Sequence, residues 1–158
     1  NNYMNVHKLL HRFCYKEVLE NCYNCDNCNK KGVTAYKKTM FWRLPEVLII
    51  QLVRFNFEGK KNSRFIDYPI WDLDMVKYVS HNSKPDHMLY DLFSVNCHLG
   101  SVMGGHYWSI CKVNKNWISF DDESHTYITN KDDIVVGNQN RYAATAYMLF
   151  YQRKSDNI

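Results

Sequence analysis

His106-Tyr-Trp-Ser-Ile-Cys-Lys-Val113, Asn114-Lys115, Asn116-Trp-Ile-Ser-Phe-Asp121: two runs rich in aromatic and β-branched side chains flank a compact polar pair. This pattern predicts a β-hairpin whose loop is Asn114 and Lys115. In that register Val113 pairs with Asn116 and every further pair sums to the same total, which sets Asp121 opposite Trp108. His106 and Trp108 are two positions apart, so they point the same way. His106 and Asp121 then become diagonal neighbours on one face, close enough for a carboxylate–imidazole hydrogen bond. Asp122 faces the other side in this register. A three-residue loop would shift the register by one and exchange the two aspartates.

Outward from the hairpin, further short strands are expected at 90–98 and 142–152, closely enough spaced to favour an antiparallel sheet. Upstream, 39–42 and 47–55 are rich in β-branched and aromatic residues and are separated by Pro45. The continuous apolar run of the second reads as a central strand buried on both faces. A short edge-like strand is expected at 65–73, with polar loops at 56–64 and 80–87. Val6, Leu9, Leu10 and Phe13 recur at helical spacing behind Asn5, a plausible N-cap, and predict a short helix at about 6–14. The fold class is therefore α+β, mainly antiparallel sheet with few short helices.

With 158 residues, 46% apolar and 23% charged side chains, the chain has the profile of one globular domain rather than a disordered or collagen-like one. Its longest apolar run, 44–53, is interrupted by Pro45, Glu46 and Gln51 and falls short of the ~20 residues that span a bilayer. Twenty basic against sixteen acidic residues give a net charge of +4. Acidic pairs at Asp121-Asp122 and Asp132-Asp133 break the basic surface, which argues against a nucleic-acid stripe. The chain begins at Asn1 without a basic-then-apolar leader, so it reads as an excerpt of a longer, intracellular, non-secreted protein.

Of the six cysteines, Cys22, Cys25 and Cys28 form a knuckle. Without a secretory signal these read as thiolates for a metal rather than as disulfides, since such spacing lets sulfurs share one Zn²⁺ at ~2.3 Å. Three ligands do not close a site. A fourth would come from His7, His11 or Cys14, or a pair from outside the chain; otherwise the three are reduced surface thiols.

A histidine oriented by a carboxylate suits general-base catalysis, and equally a structural pair. The preceding Gly100-Ser-Val-Met-Gly104-Gly105 offers a side-chain-poor approach along which an extended peptide could run. Four segments together resemble the C-terminal half of a ubiquitin-specific protease catalytic domain: Cys25-Asp-Asn-Cys28 with Leu44-Pro45 and the strand through Arg54-Phe55; Tyr90 through His98 to Gly104-Gly105-His106-Tyr107; Trp117-Ile-Ser-Phe120-Asp121-Asp122; and Ala144 to Tyr151.

The resemblance implies the palm and fingers of a papain-like cysteine protease fold. About 1–38 would form a helix and a zinc-finger tip, and about 39–158 the palm sheet with the histidine box. It further implies that His106 is the general base, that Asp121 orients it, and that Asp122 is an alternative or supporting carboxylate. Gly104, Gly105, Tyr107 and His98 would bind substrate along the channel for the ubiquitin C-terminal tail. The loops at 56–64 and 99–104 resemble the two blocking loops that gate it. Cys25 and Cys28 would be two of four ligands of a structural Zn²⁺, with Cys22 as a possible third. The nucleophile is expected outside the chain, because neither Cys97 nor Cys111 has the family's cysteine-box context. The implied activity is thiol-dependent deubiquitination. The implied partners are ubiquitin, ubiquitinated proteins and the N-terminal half of the same domain, with no nucleic acid and no membrane. The alternative is a noncatalytic ubiquitin-binding module.

Overall fold

The computed structural model describes residues 4–80, 88–130, 132–135 and 146–155. The expected loop residues 81–87 and the 142–145 part of the closing strand lie outside the described residues.

After strand β1 (Met4–Asn5), helix α1 (Val6–Phe13) starts where the sequence marks it. The Asn5 side chain accepts a hydrogen bond from the Lys8 amide at 2.8 Å, a cap worth about 1 kcal/mol. His11 and Arg12 complement the carbonyl end of the helix dipole, and Val6 and Leu10 face the core. Strands β2 (Glu17–Cys25) and β3 (Lys30–Lys37) then form an antiparallel ribbon of their own, almost wholly exposed.

The remaining strands are β4 (Val47–Gln51), β5 (Ile66–Asp67), β6 (Leu73–Asp74), β7 (Leu89–Ser101), β8 (Gly104–Val113), β9 (Asn116–Asp121), β10 (Ser124–Ile128) and β11 (Ala146–Arg153). A four-residue helix, α2 (Asp132–Val135), precedes the last of them. The main sheet runs β10-β9-β8-β7-β11-β4, antiparallel throughout, with β6 on the β8 side of β7. β5 pairs with β1 in parallel. The molecule is thus α+β and mainly antiparallel, as its sequence indicates.

Three expectations need correction. The 47–55 run is not a central strand: β4 lies at the sheet edge among the described residues, with Leu48 buried while Val47 and Ile49 are 40% and 51% exposed. Its regular pairing ends at Gln51, and Arg54 turns inward to serve backbone carbonyls instead. Residues 39–42 form no strand, only an isolated bridge between Phe41 and Val79. The 65–73 strand is split into β5 and β6, because Pro69 cannot donate to a ladder and Asp72 takes a left-handed turn at φ 57°.

The core follows from β7. Its buried apolar residues are even-numbered at Tyr90 and Leu92, then odd-numbered at Val95 and Cys97. A bulge explains the switch: Phe150 pairs with Ser94 and Tyr151 with Leu92, leaving Phe93 unpaired and flipping the inward set. Leu149 and Tyr151 from β11, Leu73, Met75 and the α1 residues complete this core.

Candidate active site

The hairpin forms in the expected register. Val113 pairs with Asn116 and Ser109 with Phe120, across a turn in which Asn114 takes φ 55°. On the even-numbered side of β8, Ile110 and Trp108 are buried and His106 emerges where the core ends. Its ring lies over Trp108, with centroids 6.1 Å apart and planes at 19°. His106 Nε2 is hydrogen-bonded to Asp121 Oδ1, the two side chains being 46% and 54% exposed.

An ionised carboxylate can only accept, so in the neutral ring the proton sits on Nε2 and Nδ1 carries the free lone pair. The hydrogen bond to Asp121, followed by the negative charges of Asp121 and Asp122, pushes the His106 pKa above the ordinary histidine value.

Asp122 departs from the expectation that it faces away. Strand alternation ends at Asp121, and Asp122 adopts φ 50° at the start of the two-residue turn into β10, a conformation aspartate tolerates. One ligand atom each of His106, Asp121 and Asp122 consequently lies within 4.8 Å of the others. No cysteine joins this group among the described residues. Cys97 is buried in the core, and Cys111 Sγ lies 3.2 Å from Ser94 Oγ. Glu123 and Ser124 complete the walls of the open concavity around His106. Sequence reading singled out neither of them, because Glu123 lies in the turn before β10 and Ser124 opens that short polar strand, which has no apolar signature.

The glycines approaching His106 do different things. At Gly100, φ +120° and a Cβ that would stand 2.6 Å from Gly104 O demand glycine. Gly104 has no atom within 4 Å of its Cβ direction and opens to solvent. Gly105 points instead at the His98 ring and at Leu99 O, which its Cβ would meet at 2.5 Å. His98, expected to touch substrate, is 2% exposed and lies behind this strand, 4.5 Å from the ring of half-exposed Tyr107. The 56–64 loop is tightly built: Asn56 Oδ1 accepts from the amides of Glu58 and Lys60 at 3.1 and 2.8 Å. Its tip at Gly59 approaches Val102, in the turn between β7 and β8.

At the end of the β2–β3 ribbon, the Cys25 thiol receives hydrogen bonds from the Cys28 backbone, the Cys28 side chain and the Asn27 backbone, which lower its pKa. That environment suits a thiolate ligand, and Cys25 and Cys28 fit one half of a tetrahedral site. Cys22 is exposed and does not gather with both of them into one ligand group. No helix among the described residues is long and apolar enough to cross a membrane.

Residues 2–151 match the ubiquitin carboxyl-terminal hydrolase family. The chain belongs to that family. Ubiquitin carboxyl-terminal hydrolase 5 of Arabidopsis thaliana is 37% identical over 160 residues, covering 97% of this chain and 16% of the relative. A probable ubiquitin carboxyl-terminal hydrolase of Acanthamoeba polyphaga mimivirus is 36% identical over 157 residues, 95% of this chain and 32% of that protein. A structure of the yeast SAGA DUBm superposes with a TM-score of 0.79 at 31% identity, over 98% of this chain and 34% of the other. A SAGA DUB module bound to monoubiquitin gives 0.78 at 30% identity, over 99% and 34%. This chain of the hydrolase family therefore spans about a third or less of the length of these relatives.

Proposed function

We propose that the chain is the base-carrying part of a thiol-dependent deubiquitinase domain, which cleaves the peptide or isopeptide bond at the C-terminal glycine of ubiquitin. The observation that carries this reading is the His106–Asp121 pair, which leaves Nδ1 free at the end of a glycine-lined strand. A cysteine from outside this chain passes its thiol proton to His106 Nδ1, and the thiolate attacks the glycine carbonyl. Asp121 holds the ring and stabilises the imidazolium, with Asp122 adding a second negative charge. The imidazolium returns the proton to the departing amine, leaving a thioester. A water deprotonated by the same nitrogen then hydrolyses the thioester and regenerates the thiol.

Gly104 borders the channel without a side chain to block the ubiquitin tail, and Tyr107 flanks it. Cys25 and Cys28 would hold a structural Zn²⁺ together with ligands from elsewhere in the polypeptide, and the metal would supply a cross-link at the fingertip rather than chemistry at His106. A protein that keeps these thiols reduced works inside the cell.

The test is hydrolysis of a ubiquitin C-terminal fluorogenic conjugate by this chain alone and with the remainder of the catalytic domain supplied. Turnover only in the combined sample is expected. Turnover by the chain alone that survives Cys97→Ala and Cys111→Ala would contradict an external nucleophile. Ubiquitin binding without turnover in the combined sample would favour a noncatalytic ubiquitin-binding module.

A further inference from the structure

The face of β8 opposite His106 carries a second built cluster. Lys61 Nζ donates to His98 Nδ1 at 3.1 Å and to His98 O at 2.6 Å. A lysine ammonium has no lone pair, so His98 Nδ1 must accept and the ring proton must sit on Nε2, the atom facing Gly105. Burial, and then the charge of Lys61, lower the His98 pKa and keep the ring neutral.

The ring is boxed in by Phe55 at 5.8 Å, Tyr107 at 4.5 Å and Tyr147 at 5.8 Å. Tyr147 reaches it because it is the extra residue of a bulge in β11, between the Ala146–Cys97 and Met148–Asn96 pairs. Lys61 is placed in turn by its bridge to Phe55 and by Arg54, which donates to the carbonyls of Asn62 and Arg64 just after it, at 3.0 and 2.9 Å. Four separate segments thus converge on one imidazole, and that imidazole fills the space a side chain at residue 105 would take.

We propose that Lys61 and His98 are positioning residues for the hydrolase reaction: Lys61 locks the His98 ring, and the locked ring sets the backbone at Gly105 and so the placement of the adjoining His106. The inference rests on the deubiquitinase reading above. It explains why a contact between a part-buried lysine and a buried histidine sits one strand position from the proposed base while touching no reacting atom. An error of about 1 Å at a general base can cost about a hundredfold in rate, so a loosened ring shows in kcat. Substrate affinity, set at the exposed Gly104 face, changes little.

The experiment uses the full-length protein containing this chain, the fluorogenic ubiquitin conjugate, and ¹⁵N-labelled histidine spectra. Lys61→Met is expected to lower kcat by about tenfold or more, to change KM by less than about threefold, and to replace the single Nε2–H tautomer of His98 by a mixture. Lys61→Arg, which keeps donors for the ring and the carbonyl, restores most of kcat and the single tautomer. An unchanged kcat in Lys61→Met, a KM rise with kcat intact, or an unaltered tautomer would overturn the proposal. Should Lys61→Met fail to fold, a mixed His98 tautomer in folded Lys61→Arg overturns it and a single one supports it. An inactive wild-type protein would refute the hydrolase reading and, with it, any role in its rate; the spectra would still report whether Lys61 locks the ring.

Discussion

Replacing Gly104 and Gly105 separately by alanine distinguishes a glycine that the fold requires from one that it does not. At residue 105 the new Cβ would stand 2.5 Å from Leu99 O and overlap the His98 imidazole. Neither neighbour yields easily: Leu99 is paired with His106 across β7 and β8, and the His98 ring is tied to Lys61. The strand ends must therefore part. Overpacking of this kind costs about 1–3 kcal/mol. For a chain of this size each kcal/mol shifts the melting temperature by about 2–4 °C, so Gly105→Ala should melt about 2–12 °C lower. At residue 104 nothing lies within 4 Å. Alanine there loses no contact and restricts the unfolded chain, so Gly104→Ala should match wild type or exceed it by up to about 1 kcal/mol, melting up to about 4 °C higher. Differential scanning calorimetry of both variants reads the difference. Equal melting temperatures, or Gly104→Ala as the less stable of the two, would refute the assignment of Gly105 to packing and Gly104 to the open channel.

Asp121→Asn removes the principal cause of the raised His106 pKa, so the histidine should titrate at lower pH by proton NMR; Asp122→Asn should shift it the same way by less, and the reverse order would make Asp122 the main partner. Because the folded-state pKa is raised, the stabilisation from this pair is fully present below the unfolded histidine value of about 6.5 and fades as pH rises through the folded value, and the stability gap between wild type and Asp121→Asn should narrow accordingly. Metal analysis of the isolated chain should find zinc well below stoichiometric, and Cys25→Ser in the full-length protein should release zinc; stoichiometric zinc in the chain alone would mean that Cys22 or another local residue completes the site.

The parts of this protein legible in its sequence are those governed by local chemistry. The α1 boundary follows from Asn5 and the 3.6-residue spacing of Val6, Leu10 and Phe13. The β8–β9 register follows from the two-residue turn, and with it the meeting of His106 and Asp121. The missed features depend on what periodicity does not encode. Asp122 rejoins the site only because its backbone turns left-handed, and an aspartate in a strand and in a turn read alike. β2, β3 and β10 are largely exposed, so they lack an apolar alternation to announce them. The 47–55 run misled because its apolar character is continuous although only one face of β4 is covered here. His98 looked like a ligand-facing residue beside the glycines, but its burial is settled by Tyr147, brought over it by a bulge nearly fifty positions later in the chain. Lys61 carries no signal in a polar loop until the loop's folded path places its ammonium on His98.

The most direct test of the central claim, that His106 held by Asp121 is the general base, is the kcat of the full-length protein on a fluorogenic ubiquitin conjugate with His106 replaced by glutamine. The account predicts a fall of about 10²–10⁴ in kcat with KM little changed. A His106→Gln protein that turned over at the wild-type rate would contradict it.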